Sequence, residues 1–349
     1  MKLRRFHGPW NLTDLATVPK NGLTAFSCFH CGGGSTMGYK LAGFNMLGGV
    51  EIDPEMMSIY RANHKPKHSY LMGVQQFNEL PLDGLPDELK NLDLLDGSPP
   101  CSSFSMAGSR EKKWGDAHHF REGQVKQVLD DLFFHFIKVG QRLQPKVIVA
   151  ENVKGLILGN AKGYVKEIFA AFREAGYDAQ LFLFNAARMG VPQARERTFF
   201  IARQRDLGWG KLEMRFNEEQ VTIKNAWQGL VNQKGKKLGS QTNQLKYWLI
   251  SKPGESFSKV SKSGWFSHRK INRDEPCFTI TAHAPTETYH DKEPRMLSIL
   301  EIARLQSFPD DYSFNKQAAG YVCGMSVPPF MTQRVALEIG RQWFGIEYD

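Results

Sequence analysis

The segment Asp96-Gly-Ser-Pro-Pro-Cys101 could supply a reactive thiol, because two prolines stand directly before a cysteine. Prolines stiffen the backbone and remove amide donors, so the next side chain is held in a fixed direction. A cysteine beyond a strand end, near a helix N-terminus or a cation, can act as a thiolate nucleophile. A buried structural cysteine after a proline turn is the alternative. Zinc deaminases are excluded, because the second cysteine of their motif is replaced by Phe104.

A glycine-rich segment, Phe26-Ser-Cys-Phe-His-Cys-Gly-Gly-Gly-Ser-Thr-Met-Gly38, could bind a cofactor. Glycines let a ligand approach the backbone, and the helix that follows presents its N-terminus to that ligand. About twenty residues on, Glu51 ends an apolar run, and an acid there can accept hydrogen bonds from ribose hydroxyls. The pattern indicates an adenosine-containing cofactor, and its departure from GxGxxG disfavours a nicotinamide enzyme. Cys28 and Cys31 have no second pair at zinc-site spacing, so no metal site is predicted.

Two further segments carry charged side chains near apolar runs. Ala150-Glu-Asn-Val153 puts Glu151 at the end of a strand pattern, where a carboxylate is costly unless it is used or paired. This acid could serve as a general acid or as a hydrogen-bond partner of a heterocycle nitrogen. In Gln193-Ala-Arg-Glu-Arg197 the alternation predicts that Arg195 and Arg197 point the same way, as a clamp on a base or a phosphate would.

Short apolar runs alternating with amphipathic periods predict the elements that position these residues. The predicted strands are Leu23–Phe29, Leu47–Ile52, Leu92–Asp96, Val147–Glu151, Leu181–Asn185 and Thr198–Ala202. The predicted helices are Glu55–Ala62, Val125–Leu143 and Lys162–Ala175. This alternation implies an α/β fold with a mostly parallel sheet and helices on both faces. Ligands of such sheets bind beyond the carboxyl ends of the strands, where most of the segments above fall.

The alternation stops at about Arg203, and up to Glu275 glycine, serine, asparagine and lysine become frequent. Basic residues outnumber acidic ones in this stretch, and aromatic residues are interspersed: Trp209, Trp227, Trp248, Trp265 and Phe266. Basic side chains mixed with aromatics suit a nucleic-acid surface, whereas the alternative is a small irregular domain with its tryptophans in its own core. From Ser298 a helical pattern returns and continues, with one interruption, to the end of the sequence.

Composition sets broader limits on the protein class. The 349 residues are 41% hydrophobic and 23% charged, which is enough for a full core or for one large and one small domain. A net charge of +9 suits a polyanionic partner, although a basic enzyme without one has the same composition. The odd number of cysteines, 5, indicates reduced thiols in the cytosol. The sequence shows neither a signal peptide nor a bilayer-spanning stretch, so no membrane association is predicted.

Taken together and in order, these motifs make the chain resemble the C5-cytosine-specific DNA methyltransferase family of bacteria and phages over nearly its whole length. The matching segments are Phe29-His-Cys-Gly-Gly33, Glu51, Ser98-Pro-Pro-Cys101, Leu132, Glu151-Asn-Val153, Gln193–Arg197, Arg304-Leu-Gln-Ser-Phe-Pro309 and Gly324-Met-Ser-Val-Pro-Pro329. The resemblance implies a Rossmann-like S-adenosylmethionine-dependent methyltransferase fold with a small irregular target recognition domain. It implies a catalytic and cofactor-binding domain at 1–202, completed by 290–349, and a target recognition domain at 203–289.

The resemblance also implies site residues, with S-adenosyl-L-methionine as cofactor and double-stranded DNA as substrate. The implied catalytic residues are Cys101, Glu151, Arg195 and Arg197. The implied cofactor-binding residues are Phe29, Gly32, Gly33, Glu51, Ile52, Asp96, Pro99, Leu132 and Ser326. DNA is expected to contact Ser102, Ser105, Arg110 and Gln193, the first three within a mobile basic loop, Ser102–His119, that closes over it.

The implied reaction begins when the Cys101 thiolate adds to carbon 6 of a cytosine while Glu151 engages N3. Carbon 5 then takes the methyl group. Arg195 is expected to orient the base and Arg197 to support the site. The ring is inaccessible inside a duplex, so the base must be flipped out at a cost of a few kcal/mol.

Three positions depart from the family pattern, and all of them concern the cofactor. Cys31 stands where a glycine is usual, Gly73 where many members have an aspartate that binds the adenine amino group, and Met325 where an asparagine is common. They make weaker or altered cofactor binding an open alternative.

Two other functions stay open. An RNA methyltransferase of the same fold is suggested by Cys277-Phe-Thr279, which is similar to a tripeptide of the tRNA-modifying branch, although Ile-Thr-Ala follows it here. A basic protein that holds DNA without methylating it is the second. A cognate restriction endonuclease of the same system is a candidate partner. The protein is expected to be a monomer in the cytoplasm of a bacterial or phage-infected cell.

Overall fold

The computed structural model describes residues 7–100, 131–158, 162–261, 264–315 and 319–348, and the backbone of 117–118 and 127–128. The central sheet has seven strands: β1 Thr24–Cys28, β2 Asn45–Glu51, β3 His68–Leu71, β4 Leu94–Gly97, β5 Val147–Val153, β6 Tyr177–Asn185 and β7 Glu196–Gln204. The helices of the described segments are α1 Gly34–Leu41, α2 Pro54–His64, α3 Val74–Glu79, α4 Asp87–Lys90, α5 Leu132–Leu143, α6 Lys162–Glu174, α7 Ile223–Ala226, α8 Asn243–Ile250, α9 Ala284–Glu287, α10 Ile299–Leu305, α11 Ala319–Met325 and α12 Pro329–Trp343.

The strand order is β3-β2-β1-β4-β5-β7-β6, and every neighbouring pair is parallel except those that involve β7. A parallel connection needs a crossover of a dozen or more residues, whereas only residues 186–195 join β6 to β7. β7 therefore returns antiparallel, between β5 and β6. The predicted α/β fold with a mostly parallel sheet is confirmed.

Apolar side chains cover both faces of the sheet, because strand residues alternate between them. Along β5, Val147 and Val149 enter one core cluster, while Ile148 and Ala150 enter the other. The first cluster also takes buried residues of α1, α2 and α12, and the second those of α3, α5 and α6. Helices therefore lie on both faces, as predicted.

The helix near the end of the chain packs against the first helix. Gln333 of α12 donates its Nε2 amide to the carbonyl oxygen of Leu41 in α1, at 3.1 Å. A Cβ atom added at Gly38 would lie 2.4 Å from the Thr332 Cβ and 2.5 Å from the Pro329 carbonyl oxygen. The two helices thus approach each other closely because Gly38 carries no side chain.

Within 203–289, most of the aromatic residues pack internally. Trp248, Phe257 and Tyr289 form a small buried cluster with Met296, and the partly buried Trp265 packs against it. Trp227 lies in the main core, and Trp209 stacks on Trp343. Phe266 differs, being 81% exposed. The tryptophans therefore serve packing: Trp248 and Trp265 in the small cluster, and Trp209 and Trp227 against the main core.

No helix of the described residues is long and apolar enough to cross a membrane.

Three details differ from the sequence prediction. The helix predicted from Val125 begins at Leu132, and Gln127–Val128 instead pair with Ala117–His118 in a short antiparallel contact that helical periodicity does not encode. Strand β3 lacks a distinctive apolar run and was not predicted. Two breaks rather than one interrupt the described part of the last helical region, at residues 306–315 and 326–328, and the second occurs because Pro329 starts a new helix.

Candidate active site

The loop between β1 and α1 has the backbone conformation that its glycines favour. Gly33, the residue before α1, has a φ of 89°, and an added Cβ there would lie 2.3 Å from Nε2 of His64. Cys31 has a φ of 49°, so this tight turn carries a side chain in the left-handed region, at a cost of about 1 kcal/mol. Gly32 offers its carbonyl oxygen to the Tyr312 hydroxyl, which fixes the loop from the far end of the chain.

Two buried histidines support this loop from below. The rings of His30 and Tyr60 stack at 3.7 Å, and His64 Nε2 lies 3.2 Å from the Gly32 carbonyl oxygen. Burial lowers the pKa of His30 to about 4 and also lowers the pKa of His64. Both rings are therefore neutral near neutral pH, so the residues that pack against this loop add no positive charge from histidine.

Glu51, at the end of β2, organises the loop and keeps one acceptor position free. Its Oε2 accepts the Cys31 amide at 2.9 Å, and its Oε1 accepts the amides of Ile52 and Asp53 at 2.9 and 3.0 Å. Burial raises the pKa of Glu51, and these backbone donors oppose that shift. A carboxylate oxygen accepts two hydrogen bonds, so Oε2 can accept one more, from a ligand hydroxyl.

A cavity opens beside Glu51 and holds about 760 Å³ of empty space, part of which is open solvent. Four of the predicted cofactor residues line it: Phe29, Glu51, Ile52 and Leu132. Pro100 and Met325 line it in place of their predicted neighbours Pro99 and Ser326. Cys31, Met56, Met72 and Tyr321 also line it, and sequence reasoning did not name Met56, Met72 and Tyr321 because their types carry no chemical signal. The cavity is mostly apolar with a few polar groups.

The other predicted cofactor residues do not line this cavity: Gly32, Gly33, Asp96, Pro99 and Ser326. The last three form hydrogen bonds with other residues around it. Asp96 is buried and accepts hydrogen bonds from Ser27, Ser35 and Tyr39, so it joins β4 to β1 and α1. Burial raises its pKa to about 6. The carbonyl oxygen of Pro99 accepts the Asn152 side-chain amide at 3.0 Å.

The C-terminal motif reaches the same region from the other side. The Ser326 carbonyl oxygen accepts the Gln306 amide at 2.7 Å. A Cβ added at Gly34 would lie 2.7 Å from the Ser326 Cβ, so Ser326 packs directly under the start of α1. Gly73 is the residue before α3, and its backbone amide donates to the side-chain oxygen of Gln76 at 2.9 Å.

Glu151 and Arg197 form an ion pair at the carboxyl end of β5. The Arg197 Nε lies 3.0 Å from Glu151 Oε1, and the two side chains are 14% and 10% exposed. Arg197 is opposite Val153 in the antiparallel ladder, so it meets Glu151 diagonally on the same face of the sheet. Burial lowers the pKa of Arg197, and the Glu151 charge opposes that shift. This pair can hold a proton-accepting or proton-donating carboxyl group in one fixed direction.

Arg195 has a different environment from the one predicted. Its guanidinium donates to the carbonyl oxygens of Ile280 and Gly324, both at 2.9 Å, and the residue is 2% exposed. The contact with Glu151 is made by Arg197, the arginine expected to support the site. Arg195 precedes β7 and is buried, and its predicted contact with the base stays a prediction.

Gln193 is likewise buried and fully used. Its Nε2 donates to the Leu305 carbonyl and the Gln306 side chain, and its Oε1 accepts the Ile280 amide at 2.9 Å. With an exposed fraction of 0%, it offers no surface to DNA in this structure. Gln193 therefore joins the short strand Gln193–Ala194 to the last third of the chain, and its predicted DNA contact stays a prediction.

The predicted nucleophile Cys101 and the predicted DNA contacts Ser102, Ser105 and Arg110 lie outside the described residues. The described chain before them ends at Pro100, which lines the cavity together with Ser98. Asn152, the residue after Glu151, binds the carbonyl oxygen of Pro99. The segment that leads to Cys101 is thus anchored between the cavity and the Glu151–Arg197 pair.

Comparison with known proteins agrees with this geometry. The family model described as C-5 cytosine-specific DNA methylase matches residues 23–341. The chain belongs to this family. This chain is 30% identical over 333 residues to the type II methyltransferase M1.HphI of Haemophilus parahaemolyticus, and the match covers 90% of this chain and 86% of that one. It is 29% identical over 341 residues to M.FnuDI of Fusobacterium nucleatum, covering 90% and 93%.

Solved structures agree on the fold of this methyltransferase. A protein described as a DNA modification methyltransferase encoded within an Escherichia coli prophage has a TM-score of 0.72 at 20% identity, covering 92% of this chain and 99% of that one. A Spodoptera frugiperda DNMT2 mutant has a TM-score of 0.65 at 15% identity, covering 91% and 99%. At these identities the likeness concerns the fold alone.

Proposed function

We propose that this methyltransferase moves a methyl group from S-adenosyl-L-methionine to carbon 5 of a cytosine flipped out of duplex DNA, with Cys101 as the covalent nucleophile. The observation that carries this proposal is the Glu151–Arg197 ion pair, which lies beside the anchored segment leading to Cys101 and near the cavity at Glu51. Carbon 5 of cytosine is a weak nucleophile, so a site of this kind must first activate the ring.

The cavity suits an adenosine-containing cofactor. The free acceptor position on Glu51 Oε2 fits a ribose hydroxyl, and Phe29, Ile52 and Leu132 provide apolar walls. S-adenosylmethionine supplies an electrophilic methyl group on a positively charged sulfur when bound there. Gly73 has no carboxylate to accept a hydrogen bond at the end of β3, so we expect weaker discrimination of the adenine amino group.

In the proposed reaction, Glu151 engages N3 of the cytosine while the Cys101 sulfur forms a bond to carbon 6. The electron pair of the 5,6 double bond moves to carbon 5, which takes the methyl group from the sulfonium sulfur, and that sulfur keeps the electron pair of the broken bond. Loss of the proton at carbon 5 restores the double bond and expels the thiolate. Arg197 holds Glu151 in the direction that N3 requires, because its Nε contacts Oε1 of that carboxyl group.

We also propose that 203–289 is the target recognition domain, and that 1–202 with 290–349 forms the catalytic domain. Support comes from the separate aromatic cluster of the first region and from its excess of basic residues. The packing of α12 on α1 supports the second assignment. A type II restriction system, as named for the relatives, is the proposed setting.

A covalent trap tests the mechanism. Duplex DNA with 5-fluorocytosine in the target site has no proton to lose at carbon 5, so the adduct should persist through denaturing electrophoresis. We expect an adduct with the wild-type protein and none with Cys101→Ser, whereas Cys323→Ser, which alters another cysteine, should still form it. No adduct on methylatable DNA would contradict the covalent mechanism.

A tritium-transfer assay that compares duplex DNA with tRNA tests the substrate. We expect label in DNA alone. Label in tRNA alone would favour the RNA methyltransferase alternative, and DNA binding without label at any cofactor concentration would favour the non-catalytic alternative. Bisulfite sequencing of DNA from cells that express the protein would then give the recognition sequence.

A further inference from the structure

Arg269 lies in the region 203–289, beside the short strand Cys277–Phe278 that pairs with Gln193–Ala194. The pair Arg269–Lys270 runs parallel to Thr288–Tyr289 within that region. The Arg269 guanidinium carbon lies 4.7 Å from the centroid of the Phe278 ring. Phe278 in turn pairs with Ala194, which stands three residues before Arg197 of the Glu151–Arg197 pair. Arg269 therefore packs on a residue of the same region whose backbone pairs with the segment that leads to Arg197.

The charge of Arg269 has no partner in the part of the chain that the structure describes. Its Nε is buried without a hydrogen bond. Other arginines of the same half of the chain meet carboxylates at short distances, as in the pairs Arg273–Asp291, Arg295–Glu301, Arg304–Asp310 and Arg334–Glu218. A donor without an acceptor is unfavourable, so Arg269 remains open to an acceptor from outside the described residues.

The geometry narrows the class of that acceptor. The Phe278 ring covers one face of the guanidinium, which leaves its N–H edge for a planar or bidentate acceptor. Phosphate oxygens fit such an edge and carry the matching charge. We propose that Arg269 binds a phosphodiester of the DNA backbone close to the target cytosine. This inference rests on the proposed function, and it assigns Arg269 to holding the strand rather than to reading bases.

Equilibrium binding to duplex DNA over a series of salt concentrations tests this assignment. Arg269→Ala should weaken binding about tenfold and lower the slope of log affinity against log salt by about one, since one phosphate contact is lost. Arg269→Lys should keep the slope and most of the affinity. The matched control is Arg341→Ala, which removes an equal charge from an exposed position on α12 paired only with Glu338, and should change neither quantity.

Cofactor affinity and the urea midpoint, measured on the same samples, should be equal in all four proteins. An unchanged slope in Arg269→Ala, whether affinity falls or not, would overturn the phosphate assignment, because a base contact or a structural role would leave the slope in place. The proposed function is tested separately by the wild-type protein. If wild type methylates DNA while Arg269→Ala behaves like Arg341→Ala, only this inference fails, whereas no DNA binding by wild type overturns both.

Discussion

Asp96 is a buried carboxyl group of β4 that forms hydrogen bonds with β1 and α1. Its oxygens accept hydrogen bonds from Ser27 of β1 and from Ser35 and Tyr39 of α1, at 2.7, 2.7 and 3.1 Å. Burial nevertheless raises its pKa to about 6, so the desolvation of the charged form outweighs these donors. The folded protein therefore binds a proton here more tightly than the unfolded chain does.

This difference predicts a pH effect on stability. The folded-state pKa is raised, so the contribution of Asp96 to the free energy of unfolding is full at low pH and falls as pH rises towards 6. Asp96→Asn carries no titrating group. We expect the stability of the wild type relative to this variant to fall by about 1 kcal/mol between about pH 5 and about pH 7.5.

Urea unfolding at both pH values measures this effect, and Asp87→Asn at an exposed position serves as the matched control. A wild-type advantage that stays constant or grows with pH would contradict the assignment.

The types of the site residues could be predicted from sequence, but their contacts could not. Glu151 ends an apolar strand, and this local pattern is sufficient to single it out. Alternation also placed Arg195 and Arg197 on one face, yet β7 begins only at Glu196 and Arg195 turns into the interior. The burial of Gln193 could not be predicted for a similar reason, since its partners Leu305 and Gln306 are more than a hundred residues away.

At the scale of elements, the contact between α1 and α12 depends on a glycine. A methyl group at Gly38 would meet the Pro329 carbonyl oxygen at 2.5 Å and the Gln333 amide nitrogen at 2.9 Å, and both are backbone atoms that cannot rotate away. The helices must therefore separate if any side chain is added. Gly163 in α6 is the opposite case, because no atom lies within 4 Å of its added Cβ.

Gly38→Ala should lower the free energy of unfolding by about 1–3 kcal/mol and weaken cofactor binding, because overpacking displaces the helix that supports the glycine loop. Gly163→Ala should be neutral or stabilising by up to about 1 kcal/mol, since alanine is the better helix former. Urea titrations of both variants measure the difference. Equal stability of the two variants would mean that α1 and α12 separate at no cost.

Most of the sheet was predictable, because the apolar runs of β1, β2, β4, β5 and β7 are largely buried and leave a clear pattern, and the partly buried β6 still has such a run at Leu181–Asn185. β3 was not, since His68–Leu71 lies at the sheet edge and is only partly buried. The antiparallel direction of β7 follows from a connection of only residues 186–195. The start of α5 was misplaced because the pairing of Gln127–Val128 with Ala117–His118 is a short antiparallel contact that helical periodicity does not encode.

At the scale of the whole molecule, Arg195 joins parts that are distant in sequence. Its two hydrogen bonds reach Ile280, which follows the short strand paired with Gln193–Ala194, and Gly324 in α11. α11 contributes Tyr321 and Met325 to the cavity wall. Arg195 therefore links the segment before β7 to the end of the proposed recognition domain and to α11, which lines the cavity.

Removing this side chain leaves two buried carbonyl oxygens without donors, at about 1–3 kcal/mol each. Arg195→Ala should lower the free energy of unfolding by about 3 kcal/mol and reduce cofactor affinity. Arg205→Ala, which removes a half-exposed arginine paired with Asp178, should cost less than about 0.5 kcal/mol. Chemical denaturation and calorimetric titration of the cofactor check both effects. Equal unfolding energies would show that Arg195 has no linking role.

The packing of α12 on α1 has a consequence for biosynthesis. A chain emerging from a ribosome exposes its glycine loop early, but Tyr321, Met325 and the Gln333 contact arrive some 280 to 300 residues later. Contacts of such large sequence separation close slowly, because the loop entropy must be spent first. A nascent polypeptide therefore stays unable to modify its substrate until translation of these last helices is finished, and cells that make it acquire methylating capacity with a delay after synthesis begins.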